Sequence, residues 1–429
     1  MQRRKKRLRQ LAVAIPAAAF AYLLPMWPTT MTRPADAQSP QRQGQQSRDP
    51  QRPAAGFDLP APPPGASLAA IAFADIPGWA HDDHAAAYRT FLATCRRLAS
   101  DGADLRPGKA PPESLVALCR EALAAGERDA AQARVFFEER FVPLRITPAN
   151  ETGRGFLTGY YEPEMEGSLT PAPDFPVPAL GRPDDLVTFR QGETPAPLDP
   201  ALAAARRTAS GLEPYADRGA IDDGALAGRG LELLYVRDRV ELFMAQVQGS
   251  ARVRLADGRV LRLVYTGRNG LPYTSIGKVI VSEGHMDLET MTLAKLKDWL
   301  RANPADAQRI MRLNRSYIFF AIGEGLDPAA GPIGAASVPL TPLRSIAVDR
   351  SLWPYGLPFW ISATLPLGPD GSAQSFGQLM IAQDTGSAIL GPARADLFLG
   401  SGAEAGAKAG LIRHPGEFTV LWPRGTARP

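Results

Sequence analysis

The segment VRLADGRVLRLVY, Val253 to Tyr265, alternates apolar and polar residues on both sides of Asp257-Gly258. Alternation of period two around Asp-Gly marks an antiparallel hairpin with one apolar face. Most of the chain after residue 150 has the same texture. FLTGYYEPEMEG, FPVPALG, LVTFR, VELFMAQVQGSA, SYIFFAIGE, VPLTPLRSIAVD, LPFWISATLPL, FGQLMIAQD and FTVLWP are short apolar runs broken by Gly and Pro, and each reads as a strand. Such runs point to barrel-type β domains and away from a parallel doubly wound sheet.

Helical spacing is confined to two regions. Between about 67 and 145, HDDHAAAYRTFLATCRRLA, PPESLVALCREALAA and RDAAQARVFFEERF repeat apolar residues every three or four positions. A second patch, DLETMTLAKLKDWLRANP followed by AQRIMRLN, breaks at Asn303-Pro304. Cys95 and Cys119 are the two cysteines of the chain and fall in successive helical stretches. They are either a disulfide or two small buried apolar residues; spacing does not choose between them.

The chain begins with the basic run MQRRKKRLRQ, continues into the apolar LAVAIPAAAFAYLLPMW and reaches Ala35-Asp36-Ala37, the pattern of an export signal with its cleavage site. Pro16 and Pro25 interrupt the apolar run, which argues against a permanent span. An uncleaved anchor is the alternative. No cysteine follows the run to take a lipid. Residues 1–37 carry seven Lys or Arg and one acid, which leaves 41 basic and 43 acidic residues, a net charge of −2. The pI of 9.1 therefore reflects targeting, and nucleic acid is not an expected partner. Residues 38–66, rich in Gln, Pro and Arg, read as a disordered tether.

Three regions carry candidate chemistry. AQDTGSAILGPARADLFLG places Asp384 in an Asp-Thr-Gly-Ser run and Asp396 between Ala395 and Leu397-Phe398. An aspartic protease needs two such Asp-Thr-Gly loops and this chain has one, so a protease would have to be a homodimer. The alternative is a single carboxyl group acting as acid and then base on a glycosidic bond, for which the apolar setting of Asp396 is suited. GFLTGYYEPEMEGS offers Tyr160, Tyr161 and nearby acids as sugar-contacting groups. AQVQGSARVRLADG sets Gln246, Gln248 and Ser250 at alternating positions, on one face if the stretch is a strand. The four histidines, His81, His84, His285 and His414, are scattered, and the HDDH run opens a helix, so capping explains it better than a metal.

Together these regions resemble one family, the membrane-bound lytic murein transglycosylase A (MltA) family, in consistent order from about residue 150 onward. TGYYEPEMEGS is similar to its substrate-site motif, QVQGSARVRLADGR with YTGRNGLPYTSIGK to its middle domain, and GAASVPLTPLRSIAVDRSLWPYGLPFWI with IAQDTGSAILGPARADLFLGSGAEAGAKAG to its C-terminal 3D domain. The three aspartates of that domain fall on Asp349, Asp384 and Asp396. The resemblance implies Asp396 as acid and base, Asp384 in support, and Thr158, Tyr160, Tyr161, Gln246, Gln248, Ser250 and Asp349 as groups shaping the sugar subsites. Arg394 faces either the site or the solvent. Ser387 stands where a second glycine is common in the family, and no lipid-attachment cysteine is present.

The implied fold is mainly β with an α-helical N-terminal segment: a double-psi β-barrel domain with an inserted second β domain. Residues 67–163 and 328–429 are expected to form the barrel domain and 164–327 the insert. The implied activity is non-hydrolytic cleavage of peptidoglycan glycan strands to 1,6-anhydromuramoyl ends, without metal or organic cofactor, by a monomer in the periplasm, with wall-remodelling complexes as its protein assemblies. A wall-binding protein without activity is the competing class.

Overall fold

The computed structural model describes residues 59–425, apart from 101–104, 191, 324–326, 328 and 369. The expected export signal and the tether up to residue 58 lie outside the described residues. Strand β1 (Ala66–Ala70) begins where tether was expected to pass into helix. Helices α1 (His84–Leu98), α2 (Glu113–Ala125) and α3 (Ala130–Arg140) follow. Asp83 opens α1 by accepting the Ala86 N–H at 3.0 Å, and Asp129 and Gln132 form a reciprocal capping box on α3. Both satisfy amides that a first helical turn leaves open. Cys95 and Cys119 are joined in a disulfide that ties α1 to α2.

Strands β2 (Phe141–Pro148) and β3 (Gly155–Glu162) enter the main sheet. The chain then departs through β4 (Glu164–Ser168), β5 (Val177–Leu180), β6 (Leu186–Thr188), β7 (Ala204–Thr208), β8 (Gly211–Glu213), α4 (Arg218–Asp222), β9 (Glu232–Val236) and α5 (Arg239–Gln248). It continues through β10 (Ser250–Leu255), β11 (Val260–Arg268), α6 (Ile276–Ser282), α7 (Leu293–Ala302), α8 (Pro304–Leu313) and β12 (Ile318–Ile322). It returns with β13 (Ser345–Val348), β14 (Pro358–Leu365), β15 (Gln374–Asp384), β16 (Arg394–Ser401), α9 (Gly402–Ala409) and β17 (Arg413–Pro423).

The Asp257-Gly258 hairpin forms as β10–β11, with Arg252 opposite Arg262 and Gly258 at φ 85° in its turn. The positive φ is the reason for the glycine. The run VELFMAQVQ, read as a strand, is instead helix α5. Asp238 caps it, Gly249 ends it at φ 88°, and Val240, Phe243 and Met244 pack on Ile276, Ile310 and Met311. A spacing of three and four within a short apolar run won over the strand texture on either side.

The strands from both ends of the chain form one sheet in the order β1-β2-β17-β14-β15-β13-β16-β3, and β17 also pairs with β3. That last pairing closes the ring through β17, β14, β15, β13, β16 and β3 into a barrel. Its main core lies between the barrel and the three helices, where Tyr88, Phe91, Phe136, Phe137 and Phe141 meet largely edge to face. Burying each such ring contributes roughly 2–3 kcal/mol.

The departing segment builds a second sheet, β12-β11-β10-β4-β9-β5, and a bridge between Gly181 and Phe320 brings its two ends together. The sheets meet at Glu162, the last residue of β3. Its fully buried carboxylate accepts Arg252 Nε at 2.9 Å and Ser401 Oγ at 2.8 Å. Arg262 Nε lies 2.7 Å from the other oxygen, with its N–H off the line of contact, while Arg262 Nη2 donates at 3.2 Å.

Candidate active site

Across the barrel, Asp384, Ala347, Asp396 and Thr158 form a single row, each Cα registered against the next on β15, β13, β16 and β3. Residues paired directly across strands project to the same face, so the row brings both acids and the threonine to one surface. The two aspartate Cα atoms are two strand spacings apart, about 10 Å.

Asp384 reaches this row through a bulge. The β13–β15 register slips by one residue after Ile346–Ala382, leaving Gln383 as the extra residue. Gln383 turns into the core, where Nε2 donates to Thr90 O at 3.0 Å and Thr94 Oγ1 at 2.7 Å, and Oε1 accepts from Ser345 Oγ. With one side chain diverted inward, the next is aimed at the cleft.

The acids differ in their partners. Asp384 accepts the N–H of Ala335 at 3.0 Å, the N–H of Thr385 at 2.9 Å and the hydroxyl of Tyr160 at 3.0 Å, and Arg106 lies near enough to favour its anion. Asp396 accepts one side-chain bond, from Thr158 Oγ1 at 2.6 Å, and Thr158 in turn accepts Arg394 Nη2 at 2.7 Å. Both acids keep an open edge toward the cleft, yet burial pushes both carboxyls above the ordinary aspartate range. For Asp396, Arg394 and Thr158 oppose that shift while the charge of Asp384 adds to it. Three donors favour the anion at Asp384, so Asp396 is the better proton carrier of the pair. Arg394 is itself pushed down by burial and lies over the exposed Phe156 ring.

The row forms the floor of a cavity of about 280 Å³ lined by Thr158, Tyr160, Gln248, Arg268, Asp384 and Asp396 among others. A second cavity of about 360 Å³ shares Tyr160, Gln248, Arg268 and Asp384 and extends to Ser250, Tyr265 and Asp349. Gln246 and Gln248 do not share a strand face with Ser250, because they end α5 while Ser250 starts β10. The Gln246 amide is occupied: Oε1 accepts Arg218 Nη1 at 2.6 Å and Nε2 donates to Ile318 O at 3.1 Å. The side-chain Oε1 of Gln248 accepts the Tyr161 N–H at 3.1 Å.

Tyr160 faces the cleft, whereas Tyr161, its neighbour on β3, points the other way onto Ala405 and Ala409 of α9. Asp349 shapes a loop: it accepts from Ser351 N and Oγ and from Gly391 N. Sequence reading missed Ala347, Gln383, Arg106 and Arg268. A small residue at the end of SIAVD was the only signal, and it was legible only once the register was known.

A closed barrel carrying a second sheet, with two unequal carboxyl groups on the floor of the cleft between them, defines the class: a β-barrel protein with a candidate carboxyl acid site. Residues 156–321 match the model of the MltA specific insert domain and residues 344–422 that of the 3D domain. The chain is 39% identical over 214 residues to membrane-bound lytic murein transglycosylase A of Vibrio cholerae, an alignment spanning 48% of this chain and 55% of that relative. It superimposes on the crystal structure of a membrane-bound lytic murein transglycosylase from Agrobacterium tumefaciens with a TM-score of 0.75 and 38% identity, covering 83% of this chain and 98% of that one. The structure of Escherichia coli MltA with bound chitohexaose matches at a TM-score of 0.60 and 25% identity, over 83% of this chain and 95% of that one. The chain belongs to the MltA family and carries its 3D domain.

Proposed function

We propose that this chain is a peptidoglycan lytic transglycosylase, cleaving the β-1,4 bond between N-acetylmuramic acid and N-acetylglucosamine with formation of a 1,6-anhydromuramoyl end. The observation that carries the reading is the unequal acid pair: Asp396, with one hydrogen-bond donor and a carboxyl pushed up by burial, beside Asp384, with three donors. Chitohexaose in the Escherichia coli relative supports a glycan as the occupant of the cleft.

Asp396 gives its proton to the glycosidic oxygen as the C1–O bond breaks, and the glucosamine end leaves as an alcohol. The cationic centre at C1 is stabilised by the site or by the substrate's own N-acetyl group. The ionised Asp396 then takes the proton of the muramic C6 hydroxyl, whose oxygen bonds to C1. Proton and bonds balance without water, so one carboxyl group serves both steps and no second carboxylate is needed to activate a nucleophile. Asp384 holds Tyr160, while Thr158 and Arg394 position Asp396. Tyr160, Gln248 and Ser250 line the sugar path, with Asp349 fixing the loop at its edge.

The same reading assigns residues 67–163 and 328–429 to a double-psi barrel domain, supported by the closed ring and its parallel pairs β13–β15 and β3–β16, and 164–327 to the insert. It places the enzyme in the periplasm after export by residues 1–37. The test is mass spectrometry of soluble products from purified peptidoglycan. Muropeptides about 18 mass units below the hydrolysed form, without new reducing ends, are expected from ring closure. New reducing ends would establish a hydrolase, and binding without soluble product a wall-binding protein.

A further inference from the structure

The larger cavity beside the acid pair is lined by four arginines drawn from separate parts of the chain. Arg106 precedes α2, Arg190 follows β6, Arg268 ends β11 and Arg350 follows β13. Among the described residues none of the four is salt-bridged, whereas Arg252, Arg262 and Arg344 elsewhere in the fold are each paired with a buried carboxylate. The cavity wall carries two acids against these four cations, Asp349, which accepts from Ser351 and Gly391, and Asp384, which lies near Arg106 without forming a salt bridge, so the lining keeps an excess of positive charge. Arg106 stacks 3.9 Å from the Tyr265 ring, a contact that orients a guanidinium without cancelling its charge. Burial, and with it the nearby charge of Arg350, pushes the Arg268 guanidinium down. A half-enclosed cluster of like charge is costly unless an anion completes it.

We propose that this pocket receives the carboxylates of the peptide stem borne by the muramic acid next to the cleaved bond. The inference rests on the glycan-cleaving reading and names the part of the substrate that reading leaves open. Guanidinium forks match carboxylates in two-point contacts, and several forks suit a chain with several carboxylates. A bare lactyl group offers the same chemistry on a shorter reach. The spread of the arginines, from the edge of Asp384 to Arg190 on the inserted segment, favours the longer stem.

The test uses the full mature chain carrying Asp396→Asn, titrated calorimetrically with stem-bearing glycan strands, with strands stripped by an amidase to the lactyl carboxylate, and with chitohexaose, which has no carboxylate and normalises each loss. Stem-bearing strands are expected to bind about tenfold tighter than stripped ones at low salt. That preference should shrink as salt rises, and Arg190→Gln with Arg350→Gln should remove most of it. Arg190 is exposed, so its single variant keeps the test available if the pair fails to fold.

Equal affinity for stripped and stem-bearing strands, or a preference unchanged in both variants, overturns the inference. In the unmutated protein, turnover of both strands with equal kcat/KM also overturns this inference alone. Release of no anhydro product from either strand overturns the glycan-cleaving reading itself.

Discussion

Asp384 and Asp396 share one sheet neighbour: each is registered against Ala347 of β13, so on their common face one methyl group lies between the two carboxyl-bearing residues. Ala347 lines the cavity above the acid pair and is nearly inaccessible. Ala347→Leu is expected to fill the space between the acids, at a stability cost of about 1–3 kcal/mol from overpacking. Release of anhydromuropeptides should fall by on the order of a hundredfold, because a displaced acid loses its line to the glycosidic oxygen. Turnover close to that of the parent would show that the row is not the reacting surface.

Asp396→Asn should retain glycan binding and lose turnover by about a thousandfold, the scale of a missing general acid. It should also be more stable at neutral pH. The folded carboxyl of Asp396 is raised above the ordinary value of 3.8, so its stabilising contribution is complete below that value and is lost as pH rises through the folded pKa. The melting temperature of the variant should therefore exceed that of the parent at neutral pH, and the gap should close in acid. A constant gap would contradict the shifted carboxyl.

Thr158→Val removes the donor to Asp396 and the acceptor of Arg394 while keeping the side-chain shape. Losing a donor to the anion raises the Asp396 carboxyl further. The high-pH limb of kcat/KM, which reports loss of the protonated acid, should move to higher pH, and the plateau should drop roughly tenfold, the equivalent of one charge-assisted hydrogen bond. Thr158→Ser should restore both. An unmoved limb would mean that Thr158 only fills space.

Gln383→Leu strips the bulge of its three partners, Thr90, Thr94 and Ser345. Leaving the buried hydroxyls unpaired is expected to cost about 2–3 kcal/mol, read as a lower denaturation midpoint. Activity should fall more than the folded fraction does, since Asp384 loses its aim. Parallel loss of activity and fold would assign Gln383 to stability alone.

Much of this fold was readable in the residues. The β10–β11 hairpin announced itself through alternation around Asp257-Gly258, and α7 and α8 part at Asn303-Pro304 as the missing amide of proline requires. The apolar flanks of Asp396 were legible in the sequence, and of the two cleft aspartates it accepts the fewer hydrogen bonds. The rest depended on neighbours distant in sequence. Whether VELFMAQVQ coils or extends was decided by the apolar surface of α6 and α8 waiting for it, and the inward turn of Tyr161 by the small residues of α9. The arginines around the second cavity lie far apart along the chain, and no local pattern joins them.

The knot of charge at Glu162 bears on timing. Two guanidinium groups from the second sheet and a hydroxyl from β16 converge on a carboxylate of the barrel, so the two banks of the cleft are riveted at its base. A trench fixed in this way has its width set before a polymer arrives. Its encounter with glycan should be a single concentration-dependent step with no saturating phase, and solution scattering curves with and without chitohexaose should superimpose. On that expectation the bending falls to the strand and not to the protein.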